Sequence, residues 1–395
     1  MTTSNSITTA GGPARRPAAR PADPCAAATK LHDELSDQAD DAERLRDLPD
    51  NTVRLLREAG LYSLALPARL GGLEAPVRTI IATIETLTHA DPAVGWSVLI
   101  GQGSAFLAWL DPEIADEIVA VTPEPIVASS FAPVAATPSG LGSYRLSGRW
   151  PYCSGITHAE WIMGAFLAPQ PGGPPQMRYG FLTTCDLAVA PTWDPAGLSG
   201  TGSNHIQVAD VLVDEAYTTD PRTVPAREPG QLYRLPMFSL LMVCMAGFPL
   251  GVARRALDEF HTTATVKSRS SSRRPLAEDP YVQADILHAE AAWQAARAGV
   301  HAAADELWAA AATTTPSPAV RARFAASVQH AMRTALDVTD TCFQRTGGGA
   351  LYRKGFAQRC WRDTQVAASH VVFGAESVRR LGAALLGLDV PSALL

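Results

Sequence analysis

The stretch RWPYCSG at residues 149–155 and its companion WDPAGLSGTGS at residues 193–203 decide the fold of this chain. They lie in the middle third, where residues 144–150, 160–167 and 206–213 alternate or run apolar between Gly, Pro and Ser, as strands do. The rest of the ordered chain favours helix. Aromatic, Cys and Ser side chains at a strand end suit a flat aromatic cofactor, because hydroxyl and backbone N–H groups can meet its polar edge.

The composition narrows the class of protein. The chain has 395 residues, of which 47% are hydrophobic, and a formal net charge of -6. This mild acidity argues against a nucleic-acid or membrane-surface partner, and no unbroken apolar run reaches the roughly 18 residues of a membrane span. The six cysteines form no CxxC pair and the nine histidines show no ligand spacing. We therefore expect a cytoplasmic protein without a metal site.

The spacing of hydrophobic residues and the positions of Gly and Pro, which interrupt helices and strands, predict four segments of the chain. Residues 1–24 read as a disordered tail, because they are rich in Pro, Ala, Arg, Ser and Thr. Residues 25–122 read as an N-terminal α-helical domain, with Asp91-Pro92 opening a helix over 93–110. Residues 123–230 read as a β-domain, and residues 231–395 as a C-terminal bundle. The four bundle helices are expected at 235–266, 281–312, 319–345 and 363–386.

Several motifs in order carry a family resemblance. They are WPYCSGITHAEW at 150–161, WDPAGLSGTGS at 193–203, AGFPLG at 246–251, and GGGALY at 347–352 with RD at 362–363. Together they resemble the acyl-CoA dehydrogenase superfamily. That likeness implies a mainly α fold with an N-terminal helical domain, a middle β-barrel and a C-terminal four-helix bundle.

Within that superfamily, LSGRW at 146–150, SG at 154–155 and GLDVP at 387–391 look like the flavin-dependent monooxygenase branch. The resemblance implies that reduced flavin (FADH2 or FMNH2) comes from a separate NAD(P)H:flavin reductase and reacts with O2. A C4a-(hydro)peroxide then hydroxylates an apolar, aromatic or indole-type natural product. The family also implies a homotetramer. FMN against FAD, N-oxygenation of an amine or amino sugar, an acyl-CoA dehydrogenase-like reaction and a non-enzymatic scaffold stay open.

Two positions disfavour the dehydrogenase reaction, which needs a carboxylate to remove the α-proton of a thioester. By the family match, that Glu is replaced by Val371 or by Leu241. Neither side chain takes up a proton.

Three residues are candidates for catalysis. His370 matches a family His near the distal flavin oxygen, and imidazole holds or delivers a proton near neutral pH. Ser154 is expected to bond flavin N5. Ser104 stands where phenol-hydroxylating relatives carry a His, and a Ser cannot ionise a phenol, so we expect a neutral aromatic substrate or an amine. The plainer alternatives are a buried bundle His and a turn Ser.

The resemblance also implies a set of cofactor-binding residues. The backbone of Ser130 and Phe131 would meet the flavin pyrimidine, Trp150 would pack on the isoalloxazine, and Cys153 stands beside Ser154. Further positions would contact the pyrophosphate or the adenine half of a neighbour's flavin, namely Arg269, Gln344, Gly347, Gly348 and Gly349. The alternatives are strand-end core for Trp150, a solvated loop for Arg269 and a helix C-cap for the glycines.

Overall fold

The computed structural model describes residues 21–140, 142–268 and 274–391. The described chain runs through helices, then a sheet, then helices, in the expected order. Of the predicted tail, residues 1–20 lie outside the described residues. The first helix begins at Pro24, where the Asp23 carboxylate accepts from the Cys25 amide at 2.9 Å and caps it.

The N-terminal part holds six α-helices. They are α1 (Pro24–Asp37), α2 (Ala39–Leu45), α3 (Asp50–Glu58), α4 (Val77–Ala90), α5 (Pro92–Gly101) and α6 (Pro112–Val121). Asp91 and Pro92 open α5 as predicted, but the helix does not run on to 110. The Gln102 side chain donates to the carbonyls of Leu61 and Val98, and the chain continues as a 3-10 helix, Gly103–Trp109.

The middle part is one sheet of seven strands. They are β1 (Val127–Pro138), β2 (Ser143–Cys153), β3 (Trp161–Gln170), β4 (Gly173–Thr183), β5 (Ala188–Ala190), β6 (Asn204–Asp214) and β7 (Thr218–Thr219). The order is β5-β6-β2-β1-β3-β4-β7, and only β1 and β3 are parallel. The predicted closed barrel is wrong for these strands, because the edge strands β5 and β7 are three and two residues long and do not pair with each other.

Strands β1 and β2 separate at one end of the sheet. They pair from Ala135 to Pro138 of β1, whereas the register of β1 with β3 breaks between Ser130 and Val134. Gly148 sits at the divergence with φ of 148°, and a Cβ there would lie 3.0 Å from Val134. Residues 131–133 therefore have no partner in the register of either neighbouring strand.

The C-terminal part has three long helices and two short ones. They are α7 (Met237–Val266), α8 (Pro280–Ala310), α9 (Pro318–Thr346), α10 (Phe356–Ala368) and α11 (Ala375–Leu385). The fourth predicted helix is broken, because His370 is extended, with ψ of 142°, and caps a 3-10 turn. Among the described helices, only α7 is long and apolar enough to cross a membrane. The search for unbroken apolar runs in the sequence does not reveal it. Its apolar window is 83% buried, so α7 is a core helix here.

Candidate functional site

Three buried hydroxyls meet where β2 ends. The Ser154 hydroxyl is hydrogen-bonded to that of Ser203 at 2.7 Å, and Ser203 to that of Thr201 at 2.7 Å. The Gly155 amide donates to the Thr201 carbonyl at 2.9 Å, which ties the strand end to the 193–203 loop. The two stretches that stand out in the sequence thus form one polar cluster.

The 193–203 loop is held against α10. Trp193 donates its indole N–H to the carbonyls of Leu198 and Ser199, and the Leu198 amide donates to Asp363 Oδ1 at 2.6 Å. A Cβ on Gly197 would lie 2.4 Å from the Arg362 carbonyl oxygen. Only glycine permits this approach, and the loop hydroxyls depend on it for their position.

A buried ionic network supports that contact. Arg359 and Arg362 both pair with Glu43, at 3.0 and 2.6 Å. Burial raises the pKa of Asp363 to about 7, and that of Asp91, the cap of α5, to about 6. The Asp-Arg pair of the sequence motif is therefore structural, since it joins α10 to the loop and to α2.

Trp96 of α5 joins the hydroxyl cluster to His370. Its indole N–H donates to Ser154 Oγ at 3.1 Å, and its ring meets the His370 ring edge-on at 5.6 Å and that of Phe248 at 5.2 Å. Trp96 is not singled out in the sequence analysis. No local signal marks its role, because the contacts come from elements far apart in the chain.

The environment of His370 corrects one sequence expectation. Its Nδ1 accepts from the Val372 amide at 3.3 Å, so in the neutral ring the hydrogen lies on Nε2. Burial lowers its pKa from 6.5 to about 4. At pH 7 this burial makes His370 a neutral N–H donor, rather than a group that titrates near neutrality.

A narrow apolar cavity lies between α5, the 3-10 helix, β1 and α7. Gly103, Phe106, Phe131 and Leu241 are in its wall, and its water-accessible volume is about 10 Å³. Ser104 lies between two of its lining residues, is wholly buried, and its hydroxyl has no partner within the described chain. Leu241 places an alkyl group at one of the two positions of the family Glu.

Val371 occupies the other position at which the family carries its Glu, and it faces solvent rather than the cavity. Its side chain is 63% exposed. Neither position therefore brings a carboxylate to the cavity, and none of the cavity's lining residues is an acid.

The cofactor-binding candidates on the sheet are of two kinds. Some can offer exposed backbone to a ligand, and others are buried side chains that support the sheet. Ser130 and Cys153 are buried neighbours, and burial raises the pKa of the Cys153 thiol to about 12, so it stays protonated. Trp150 is wholly buried, donates to the Ala165 carbonyl at 2.9 Å and packs on Gly164. It has no free face for a flavin ring, which corrects the expected stacking: Trp150 supports the sheet beneath the site.

The remaining candidates do not join this cluster. Gln344 and Gly347–Gly349 are at the C-terminal end of α9, where Lys267 bonds the Thr346 carbonyl. Gln329, which donates to the Val372 carbonyl beside His370, precedes Gln344 by about 15 residues, or roughly 22 Å of helix. Arg269 lies outside the described residues.

The arrangement fits a planar heteroaromatic ligand. Backbone at 131–133 that lies outside the strand register and the hydroxyls around Ser154 offer polar groups, and the cavity next to α5 offers a mostly apolar wall. No group of three or more His, Cys, Asp or Glu among the described residues could hold a metal ion.

Comparisons with known proteins identify the family of this chain. Residues 243–374 match the family model for the acyl-CoA dehydrogenase C-terminal domain. An indole-3-acetate monooxygenase of Pseudomonas putida is 30% identical over 87% of this chain and 89% of its own. The FADH(2)-dependent resorcinol hydroxylase oxygenase component of a Rhizobium species is 26% identical over 88% and 90%.

Solved structures agree on the fold. XiaF from a Streptomyces species, in complex with FADH2 and glycerol, superposes with a TM-score of 0.86 at 26% identity, over 93% of this chain and 95% of that one. TdsC of Paenibacillus sp. A11-2 with FMN and indole gives 0.79 at 21%, over 94% and 99%, which shows the fold alone. The predicted family is confirmed, and the chain belongs to the flavin-dependent monooxygenases of the acyl-CoA dehydrogenase fold.

Proposed function

We propose that this chain is the oxygenase component of a two-component system that uses reduced flavin and O2 to hydroxylate a neutral aromatic substrate of indole type. The observation that carries the proposal is the Ser154–Trp96–His370 arrangement next to an apolar cavity whose lining residues include no carboxylate. Relatives named as flavin-dependent monooxygenases and hydroxylases support it.

A bound reduced flavin would supply the electrons that activate O2. Ser154, with Ser203 and Thr201 behind it, would hold the polar edge of the ring near N5. The backbone of Ser130, the last residue of β1 to pair with β3 before the register shift, and of Phe131 within the shift would meet the pyrimidine. These residues lie on strand ends and on a clamped loop, so the contacts are organised before the ligand arrives.

His370 would hold and move a proton at its Nε2. Burial keeps its imidazole neutral in the ligand-free chain, but a negative charge placed beside a buried His raises its pKa. An anionic ligand in this site would thus restore the capacity for proton donation near pH 7. The role of His370 depends on its ligand as well as on its own surroundings.

The cavity chemistry favours a neutral aromatic substrate. Its wall is mostly apolar, with Gln102 and Ser129 as its polar residues, and it contains no acid or His that could take a proton from a phenol. Ser104, buried next to two of the lining residues, cannot do so either. N-oxygenation of an amine fits the same reductive chemistry and remains the alternative substrate class. The dehydrogenase reaction is disfavoured because Leu241 and Val371 leave it without a base.

Assembly and partner complete the proposal. Large apolar side chains are exposed on the C-terminal helices and the glycine turn, which favours a homotetramer. They include Val266, Tyr281, Leu287, Leu351 and Tyr352. In such an assembly Arg269, Gln344 and Gly347–Gly349 would reach the far half of a neighbour's flavin. The core of each subunit's bundle would consist of the three long helices and the broken fourth. A separate cytoplasmic NAD(P)H:flavin reductase would supply the reduced flavin.

The test is single-turnover oxygenation. Purified protein is mixed anaerobically with chemically reduced FMN or FAD and indole, then exposed to O2, and hydroxylated product is counted per flavin oxidised. We expect product with reduced flavin and none with NADH alone. Bleaching of oxidised flavin by an acyl-CoA, without oxygenated product, would instead support the dehydrogenase reaction. Light scattering that shows only monomer would contradict the tetramer.

A further inference from the structure

The structure contains a second cavity, which is larger than the apolar one. It encloses about 330 Å³ of water-accessible volume between the end of the 3-10 helix at Trp109, strands β4 and β7, and residues 215–227. That volume is at the lower end of the range of small-molecule sites. The exposed side chains of Gln176, Ala216 and Thr223 form its outer rim.

The lining of this outer cavity is polar, and its cations have acidic partners. Arg227 pairs with Asp111, and Arg178 lies 3.5 Å from Glu215. Asp220 is buried and paired with Arg222 at 2.8 Å. A fully charged ligand group would have to compete with these pairs. Neutral hydroxyl and carbonyl groups, in contrast, can exchange hydrogen bonds without breaking an ion pair.

Hydroxyl and amide groups complete the lining. Thr218 and Thr223 supply hydroxyls, and Gln176 supplies a side-chain amide. The Thr218 hydroxyl already accepts from Arg178 at 2.6 Å, so a partly ordered network is present before any ligand binds. This mixture of donors and acceptors is suited to a sugar or another polyhydroxylated group.

One layer of aromatic side chains separates the two cavities. Trp109 lines the outer cavity and its ring centroid is 5.7 Å from that of Phe106, which lines the apolar one. Phe131 lines the apolar cavity and meets Tyr179 edge-on at 5.9 Å. Tyr179 pairs in the sheet with Thr219, which lines the outer cavity. The linings of the two cavities are therefore linked through these aromatic rings.

We propose that the outer cavity binds the neutral, hydroxyl-rich end of an elongated substrate. The aromatic rings between the two cavities would move apart so that the aromatic end of the substrate can enter the apolar cavity, whose volume of about 10 Å³ does not hold a ring without that movement. This inference rests on the proposed function for the aromatic end and adds the chemical class of the other end. The substrate would then be an amphipathic molecule, such as an aromatic ring joined to a sugar, rather than a small aromatic alone. It would extend between the helical part and the sheet.

The test compares four probes: indole, and indole joined through a two-carbon linker to glucose, to a carboxylate or to an ammonium group. Binding to the purified protein is measured by calorimetry, and KM and kcat by oxygenation with reduced flavin. We expect the glucose probe to bind at least tenfold more tightly than indole and than either charged probe. Equal binding of all four, or a preference for a charged probe, would overturn the inference.

Two cavity variants and one control locate the effect. Ala216→Trp and Thr223→Tyr fill the outer cavity from its rim, whereas Ala188→Trp adds the same bulk on the exposed edge strand β5. Each rim variant should remove the tenfold preference for the glucose probe and leave kcat/KM for indole within twofold. Loss of indole turnover to the same extent would refute the assignment. If no probe is oxygenated, the proposed function fails, while calorimetry still decides whether the outer cavity binds the glucose probe.

Discussion

Substitution of Gly197 by alanine should release the loop that carries Ser199, Thr201 and Ser203. The new Cβ would lie 2.4 Å from the Arg362 carbonyl oxygen and 2.8 Å from the Asp363 amide nitrogen, and both are backbone atoms that cannot turn aside. Since ordinary contact begins at 3.4 Å, the loop must retreat by roughly 1 Å.

That retreat would break the bond between the Leu198 amide and Asp363. The bond is 2.6 Å long, and a shift of about 1 Å takes it beyond hydrogen-bond range. Overpacking costs about 1–3 kcal/mol, and a buried acceptor that loses its donor costs about 1–3 kcal/mol. The loop should therefore lose roughly 2–6 kcal/mol of local stability.

Hydrogen exchange measures this loss at the loop itself. Each 1.4 kcal/mol speeds exchange of the Leu198 amide about tenfold in the regime where opening is in rapid equilibrium. Product per flavin should fall as well, because Ser203 moves away from Ser154. Gly173→Ala is the matched control, since its Cβ meets nothing closer than 3.9 Å. Unchanged exchange and unchanged product yield in Gly197→Ala would refute the role of the loop contact.

Three further predictions concern buried groups. His370→Ala should fold but lose roughly 10²-fold in product per flavin, the usual scale for a lost proton donor, with H2O2 released instead; unchanged coupling would remove His370 from the mechanism. Ser104→Ala removes a buried hydroxyl without a partner, so the free energy of unfolding should hold or rise by about 1 kcal/mol; a fall would show a missed hydrogen bond. Burial lowers the pKa of His158 from 6.5 to about 4, so His158 contributes stability above pH 6.5 that is lost as the pH falls towards 4. His158→Gln should therefore lose less unfolding free energy than the wild type between pH 7 and pH 4.5 in denaturant titrations, and equal losses would contradict that pKa.

Local pattern determined the elements and their order. The alternation in residues 144–150 and 206–213 predicts strands that the structure contains, and Asp91-Pro92 opens α5 as the capping pattern requires. These features depend on neighbours within a few residues, which the sequence displays directly. The family motifs identified the protein class because their residue types and order can be read directly from the sequence, although the contacts that require them, such as that of Gly197 with Arg362, are tertiary.

Tertiary contacts decided what the sequence could not. The end of α5 depends on Gln102 reaching the carbonyl of Leu61, 41 residues away. The sheet is open because β5 and β7 lie at opposite ends of the strand order and do not pair, which depends on the arrangement of all seven strands.

The site shows the same division. The sequence picked out His370 and Ser154, but only folding places Trp96 between them and lowers the pKa of His370, since a desolvation cost depends on every element that covers the ring. From the sequence, the Trp150 ring is expected to stack on the cofactor. In the structure that ring packs against Gly164 and is fully buried. Residue type and spacing thus determined which groups the chain carries, and packing between distant segments determined which of them can meet a ligand.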